Sequence, residues 1–382
     1  MKKKNVSYKK KIKKNKKKTK NKKPYHKSIK KTKKKIYKPF FPNYNNQSYR
    51  PSINRELVSL KTLPKLKLYD CNIKEAFNLK EPLKIGIPGY FYGKKCFDYD
   101  SPQAKQYLLS NLKANKHINI HQVIPPAQYL SNCWFNSMFV TFFISDKGRI
   151  FFHFLRQLMI EGKQQNGIKI PTELRNAFAL LNFGIDASIQ GNKFAYIMDT
   201  NAIIKKIYLS IHNHFQGEYI VNIDEASNPL LYYMEIIKYL KNNSLNLIYV
   251  NTANHLWKEQ INKQIKFIKK LPHIIVLEFF EKEAIFNKKP LSFKLNEATY
   301  VIDSAVVRDI SKRHFCAMIT IDNQQIGYDG VSHHKLIHLL WKDKLNSNFN
   351  WGFPGTLEKT DGLDMKWNFT KSYQLLFYYR VE

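Results

Sequence analysis

Cysteine is scarce in this chain: four residues in 382, Cys71, Cys96, Cys133 and Cys316. No CxxC pair occurs among them, which argues against a Cys-rich zinc site. Four thiols in a chain this long do not resemble a disulfide framework either. Reduced thiols in a cytosolic or nuclear setting are the simpler expectation. Acid is scarce too, and in one region absent. Residues 1–40 contain 21 Lys and no Asp, Glu or Arg. The rest of the chain holds 43 basic against 29 acidic residues, so about 60% of the formal charge of +35 lies in a tenth of the length. A run of like charge with so little apolar surface cannot collapse, and residues 1–50 are expected to be a disordered tail. The tail lacks the apolar stretch of about 7–15 residues that a secretory signal needs. No uncharged apolar run of about 18 residues occurs elsewhere, so no membrane span is expected, and the setting is read as intracellular, cytoplasmic or nuclear. There is no internal repeat.

What is present is enough to build a core: the chain is 43% hydrophobic and 14% aromatic. Residues 51–382 are expected to form one domain, with 51–100 irregular. Helical spacing is read near 101–115, from Cys133 onward, and over 147–161, 171–182, 200–215, 227–242, 254–270 and 333–343. Strands are read at 274–280, 291–295, 299–307, 314–321, 325–329 and 373–379. A helical first half followed by an antiparallel second half gives an α+β domain.

Chemistry concentrates at three positions. Cys133 stands where the polar loop Gln128-Tyr129-Leu130-Ser131-Asn132 becomes a helix whose Phe135, Met138, Phe139 and Phe142 share one side. Helix amides and dipole at that point favour a thiolate, the form that acts as nucleophile. Taken alone, a Cys is more often a small buried hydrophobe. His314 opens a predicted strand, and Asp329 closes the next one, 15 residues on. A hairpin of this kind can set the two side chains on neighbouring strands. The carboxylate can then fix the imidazole tautomer while the other ring nitrogen faces the thiol. Separately, His314 reads as a surface histidine and Asp329-Gly330 as a turn; the ordered conjunction is far more specific.

The segment QYLSNCWFNS, Gln128 to Ser137, resembles the cysteine box of ubiquitin-specific proteases, roughly NxGNTCYxNS, in Cys133, the aromatic Trp134, Asn136 and Ser137. The stretch YVIDSAVV, then HFCAMI, then YDG resembles the family's histidine box, and the terminal KSYQLLFYYR is similar to its closing AYxLFYxR. The resemblance implies a papain-like cysteine protease fold and cleavage of ubiquitin or ubiquitin-like conjugates. It implies Cys133 as nucleophile, His314 as base, Asp329 as the group orienting His314, and Gln128 with the Cys133 amide as oxyanion donors. No cofactor or metal is implied. The sequence departs from the family's pattern in places: Leu130, Ser131 and Asn132 replace Gly-Asn-Thr, Arg313 replaces the Gly before the His, and the fingers' CxxC pairs are absent. The Cys133-Trp134 pair is also similar to papain. A polyprotein-processing protease and a pseudo-protease that binds a partner through its tail are the competing readings.

The Lys-rich arm reads as a solvated tail or as a nonspecific clamp on nucleic acid or another polyanion through residues 1–40. Tyr8, Tyr25 and Tyr37 offer stacking, but without Arg there is no base readout. The arm and the Lys-, Asn- and Ile-rich usage resemble proteins of large DNA viruses. His333 or His334 with His338 would present two ring nitrogens on one face of a helix; no third ligand lies nearby. Cys316, on the strand face of His314, reads as a packed thiol.

Overall fold

Residues 374–380, QLLFYYR, are apolar at nearly every position rather than at alternate ones. That is the pattern of a strand covered on both faces. In the computed structural model this segment is β10 at the heart of a mixed eight-stranded sheet. The structure describes residues 71–381 except 91–92, 115–117, 216–218, 223–227, 253–255, 283, 285–287, 333–334 and 355–364. The tail expected over 1–50 and its polyanion contact lie outside the described residues.

The first described elements are a hairpin, β1 (Lys84–Tyr90) and β2 (Gly93–Asp98). Part of the region expected to be irregular is therefore ordered. Asn72 exchanges two hydrogen bonds with the Lys84 backbone, at 2.9 and 2.7 Å. Cys96 pairs with Gly86 across the hairpin, and Cys71 forms a disulfide with Cys96. The expectation of four reduced thiols fails for this pair: the 25-residue separation closes only because the hairpin turns the chain back.

The helical layer follows: α1 (Pro102–Ala114), α2 (Cys133–Phe143), α3 (Asp146–Phe151), α4 (His153–Glu161), α5 (Thr172–Gln190), α6 (Phe194–Ile197), α7 (Thr200–Phe215), α8 (Pro229–Tyr239) and α9 (Trp257–Ile268). The single helix expected over 147–161 breaks at Phe152 (φ −93°, ψ 10°). α5 runs eight residues past the expected end, to a left-handed cap at Gly191 (φ 68°). All 11 residues of α2 are buried, not one side only. It is a central helix: the Phe142 ring lies 5.7 Å from that of Phe377 on β10, and Phe135 lies 5.3 Å from Tyr233 on α8.

The sheet runs β3 (Leu247–Asn251), β4 (Ile274–Phe279), β10 (Gln374–Arg380), β6 (Ala298–Arg308), β7 (Phe315–Ile321), β8 (Gln324–Tyr328), β9 (Leu336–His338), with β5 (Ser292–Leu295) against β6. The fold is α+β, as expected. The sheet, however, is mixed rather than antiparallel throughout, because β3 pairs parallel to β4 across the α9 crossover. The helix expected over 333–343 is instead β9, paired Tyr328↔Leu336 and Ile326↔His338, followed by a short 3-10 turn at Trp341–Lys344. Edge pairing overrides helical spacing there, and the Trp341 indole donates to the Ile319 carbonyl at 3.3 Å. The helical histidine pair dissolves with it: His338 is in β9, and His333 and His334 are outside the described residues.

Alternation divides the core. Leu375, Phe377 and Tyr379 face the helices, and Leu376 and Tyr378 face a second cluster built from α9 and three tryptophans. Among the described residues no helix is long and apolar enough to cross a membrane.

Candidate active site

Two tight connections carry the chemistry-bearing residues to one place. β7 and β8 are adjacent antiparallel strands, with Ala317 opposite Tyr328. His314 directly precedes β7 and Asp329 directly follows β8, so both lie at the same end of the hairpin. Cys133 is the first residue of α2. The loop before it is fixed to the Asp329 turn by the Gln128 amide donating to the Gly330 carbonyl at 3.1 Å. The Tyr328 hydroxyl adds a bond to the Pro126 carbonyl at 2.9 Å. A Cβ on Gly330 would come within 2.8 Å of both Gln128 Cβ and the Tyr328 hydroxyl, so only Gly lets the two turns approach this closely.

The result is a line of three side chains. His314 Nε2 lies 2.7 Å from Asp329 Oδ1, with both residues buried. The His314 side chain also hydrogen-bonds the Cys133 side chain. With Nε2 turned to the carboxylate, Nδ1 is the ring atom left for the thiol. The Trp367 ring packs 5.9 Å from the imidazole. Burial pulls the His314 pKa down, but the bonds to Asp329 and Cys133 and the charges of both outweigh it and raise His314 to about 10. Cys316 differs: burial, with Asp329 and Asp309 nearby, pushes its thiol well above the ordinary range, and such a thiol is inert.

A raised histidine pKa makes a stability statement. The folded state holds the proton more tightly than the unfolded chain, so the stabilisation is full below about pH 6.5 and is lost as pH rises through about 10. The stability gap between the wild type and His314→Gln should be widest below pH 6.5 and close toward pH 10. Urea unfolding at several pH values measures it, and a gap that does not change with pH would contradict the raised pKa.

Gln128 stands beside this line but is engaged locally. Its Nε2 donates to the Leu130 carbonyl at 3.2 Å, and its Oε1 is buried without a hydrogen-bond partner. A primary amide has two N–H groups, so one remains for a developing oxyanion. Ser131 and Asn132 were read as cap residues. Asn132 is the N-cap by position, but its side chain makes no cap bond. It donates instead to Thr200 Oγ1 at 2.7 Å and accepts from Asn136 at 3.4 Å, while Asn136 also donates to the Ala127 carbonyl at 3.3 Å. These bonds tie the Cys133 loop to α7. Leu130 takes φ 62°, a left-handed conformation that costs a residue with a Cβ about 1–2 kcal/mol. The family's cysteine box has its Gly at this position.

Sequence reasoning missed Asp309. Its buried carboxylate accepts from the backbone N–H of Ser311 at 2.9 Å, Arg313 at 2.7 Å and His314 at 2.7 Å, and from the Ser311 hydroxyl. The His314 carbonyl accepts the Asp309 N–H at 2.8 Å, closing the loop. The available signal was an Asp two residues before a Ser in a polar loop, the pattern of an Asx turn. Asp309→Ala would leave several N–H groups without their acceptor. It should destabilise the chain by about 3 kcal/mol, and Asp309→Asn by less. Chemical unfolding decides this, and an unchanged midpoint in Asp309→Ala would show that the cradle is dispensable.

No family model matches the chain, and no curated protein matches it either. Among solved structures it is similar to one described as the crystal structure of an essential yeast splicing factor, with 10% identity, 69% of this chain and 71% of that chain covered, and a TM-score of 0.36. A likeness of that size carries no argument about this chain.

Proposed function

We propose that this chain is a papain-like cysteine peptidase of the ubiquitin-specific protease type, hydrolysing an amide or isopeptide bond through an acyl-thioester. The observation that supports this reading is the hydrogen-bonded line Asp329–His314–Cys133 at the first turn of a buried helix. A nucleophile, a base that reaches it and a carboxylate that orients the base are the parts such chemistry requires.

The Cys133 sulfur attacks the carbonyl carbon. The resulting oxyanion lies at the start of α2, where the Cys133 N–H and the second N–H of Gln128 can donate to it. His314 Nδ1 then hands a proton to the leaving amine, and the thioester remains. Water attacks the thioester with His314 taking its proton, which returns the thiol and releases the acid. Asp329 accepts from Nε2–H throughout and holds the ring with Nδ1 toward the sulfur. The ordered match to the cysteine and histidine boxes, with the terminal YQLLFYYR, favours ubiquitin or a ubiquitin-like protein as the acyl group. The left-handed backbone at Leu130, where the box has Gly, fits the same alignment.

Fluorogenic C-terminal amides of ubiquitin and ubiquitin-like proteins test the reading. The wild type should cleave at least one of them. If none is cleaved and no thiol probe reacts at Cys133, the pseudo-protease reading is the better one.

A further inference from the structure

Single exposed apolar side chains are ordinary on protein surfaces; several converging on one mouth are not. In the loop entering Cys133, Tyr129 is 57% exposed and Leu130 75% exposed. Tyr196 on α6 is 44% exposed, and Val331, two residues beyond Asp329, is 40% exposed. Three contacts gather these distant segments into one rim. Asn201 Nδ2 donates to the Tyr129 carbonyl at 2.9 Å. The Gln128 N–H reaches Gly330, as described above. The Lys335 ammonium lies 5.6 Å from the centre of the Tyr196 ring. Leu130 is held in a strained backbone conformation with its side chain in water, so a binding partner would gain the burial that folding does not provide.

Charge narrows the partner. The acids of the described residues in 128–132, 191–201 and 329–335 are Asp199 and Asp329. Asp329 is buried against His314, and the Asp199 carboxylate accepts the Asn201 and Ala202 N–H groups at 2.9 and 3.3 Å. The cations are Lys335 and the exposed Lys193, which lies three residues before Tyr196. A basic segment, this chain's own Lys-rich arm included, meets like charge at this rim; an acidic one meets its complement.

We propose that the mouth of the site binds an extended polypeptide segment whose side chains are apolar and acidic. This rests on the peptidase reading only in calling that segment substrate, and binding tests it without turnover. The experiment uses the full-length Cys133→Ala chain and fluorescence anisotropy with three labelled probes: a Glu/Leu octapeptide, a Lys/Leu octapeptide and oligo-dT. The arm is present in every protein, so only the change caused by rim substitutions is read. Lys193→Glu with Lys335→Glu should weaken Glu/Leu binding about tenfold and improve Lys/Leu binding. Independently, Tyr129→Ser with Leu130→Gly should weaken Glu/Leu binding by a similar factor and leave oligo-dT binding unchanged. The proposal is overturned if neither pair changes Glu/Leu binding, if the unsubstituted chain prefers Lys/Leu, or if only oligo-dT responds. Absence of hydrolysis by the wild type would remove the peptidase reading and leave this result standing.

Discussion

Cys133→Ala should lower hydrolysis of a ubiquitin-type amide by at least ~10⁴-fold, with the fold intact. The size follows from what the residue does. No other thiol is placed to form the thioester: Cys316 is buried with a raised pKa, and Cys71 and Cys96 are joined to each other. The fold should survive because the change removes one sulfur atom at the end of α2, while that helix is held by Phe135, Phe139, Phe142 and their neighbours. Thermal unfolding and circular dichroism on the purified variant separate loss of chemistry from loss of structure. Turnover that persists in folded Cys133→Ala would move the nucleophile elsewhere.

His314→Ala is expected to be almost as severe, on the order of 10²–10⁴-fold in kcat/KM, the range a positioned general base supplies. It removes the proton acceptor for the first step and the donor to the leaving amine. It also strands Asp329, which is fully buried and bonded to that ring. This variant should therefore lose stability as well as rate, unlike Cys133→Ala. The comparison is diagnostic: a variant that loses stability but keeps its rate would make the Asp329–His314 pair a structural bond and not part of the chemistry.

The parts of this picture that were legible in the sequence share a physical cause. Strands covered on both faces need apolar residues at nearly every position, so 274–279 and 374–380 were readable as runs. Helices 102–114, 200–215 and 257–268 kept their spacing because one face alone carries the core contacts or a cap defines the end. Cys133, His314 and Asp329 were legible because each abuts the end of an element, where a side chain can reach across a gap. What escaped the sequence depends on long-range closure. β3 is a strand because β4 lies beside it, and its parallel pairing appears only once α9 has crossed over. β9 exists because β8 offers an open edge. Cys71 meets Cys96 through a hairpin held by Asn72. Asp309 looked like any acid in a polar loop, yet three backbone N–H groups turn toward it. Gln128 was read for its amide group, and the sequence gives no sign that one N–H is committed to Leu130.

The measurement that bears most directly on the thiol-peptidase reading is covalent. Ubiquitin and ubiquitin-like proteins carrying a C-terminal electrophile are incubated with the wild type and with Cys133→Ala, and intact-mass and peptide-mapping spectra locate any adduct. The account predicts one adduct per chain, mapped to Cys133, absent from Cys133→Ala and greatly slowed in His314→Ala. An adduct on Cys316, or none with any probe on a folded protein, would contradict it.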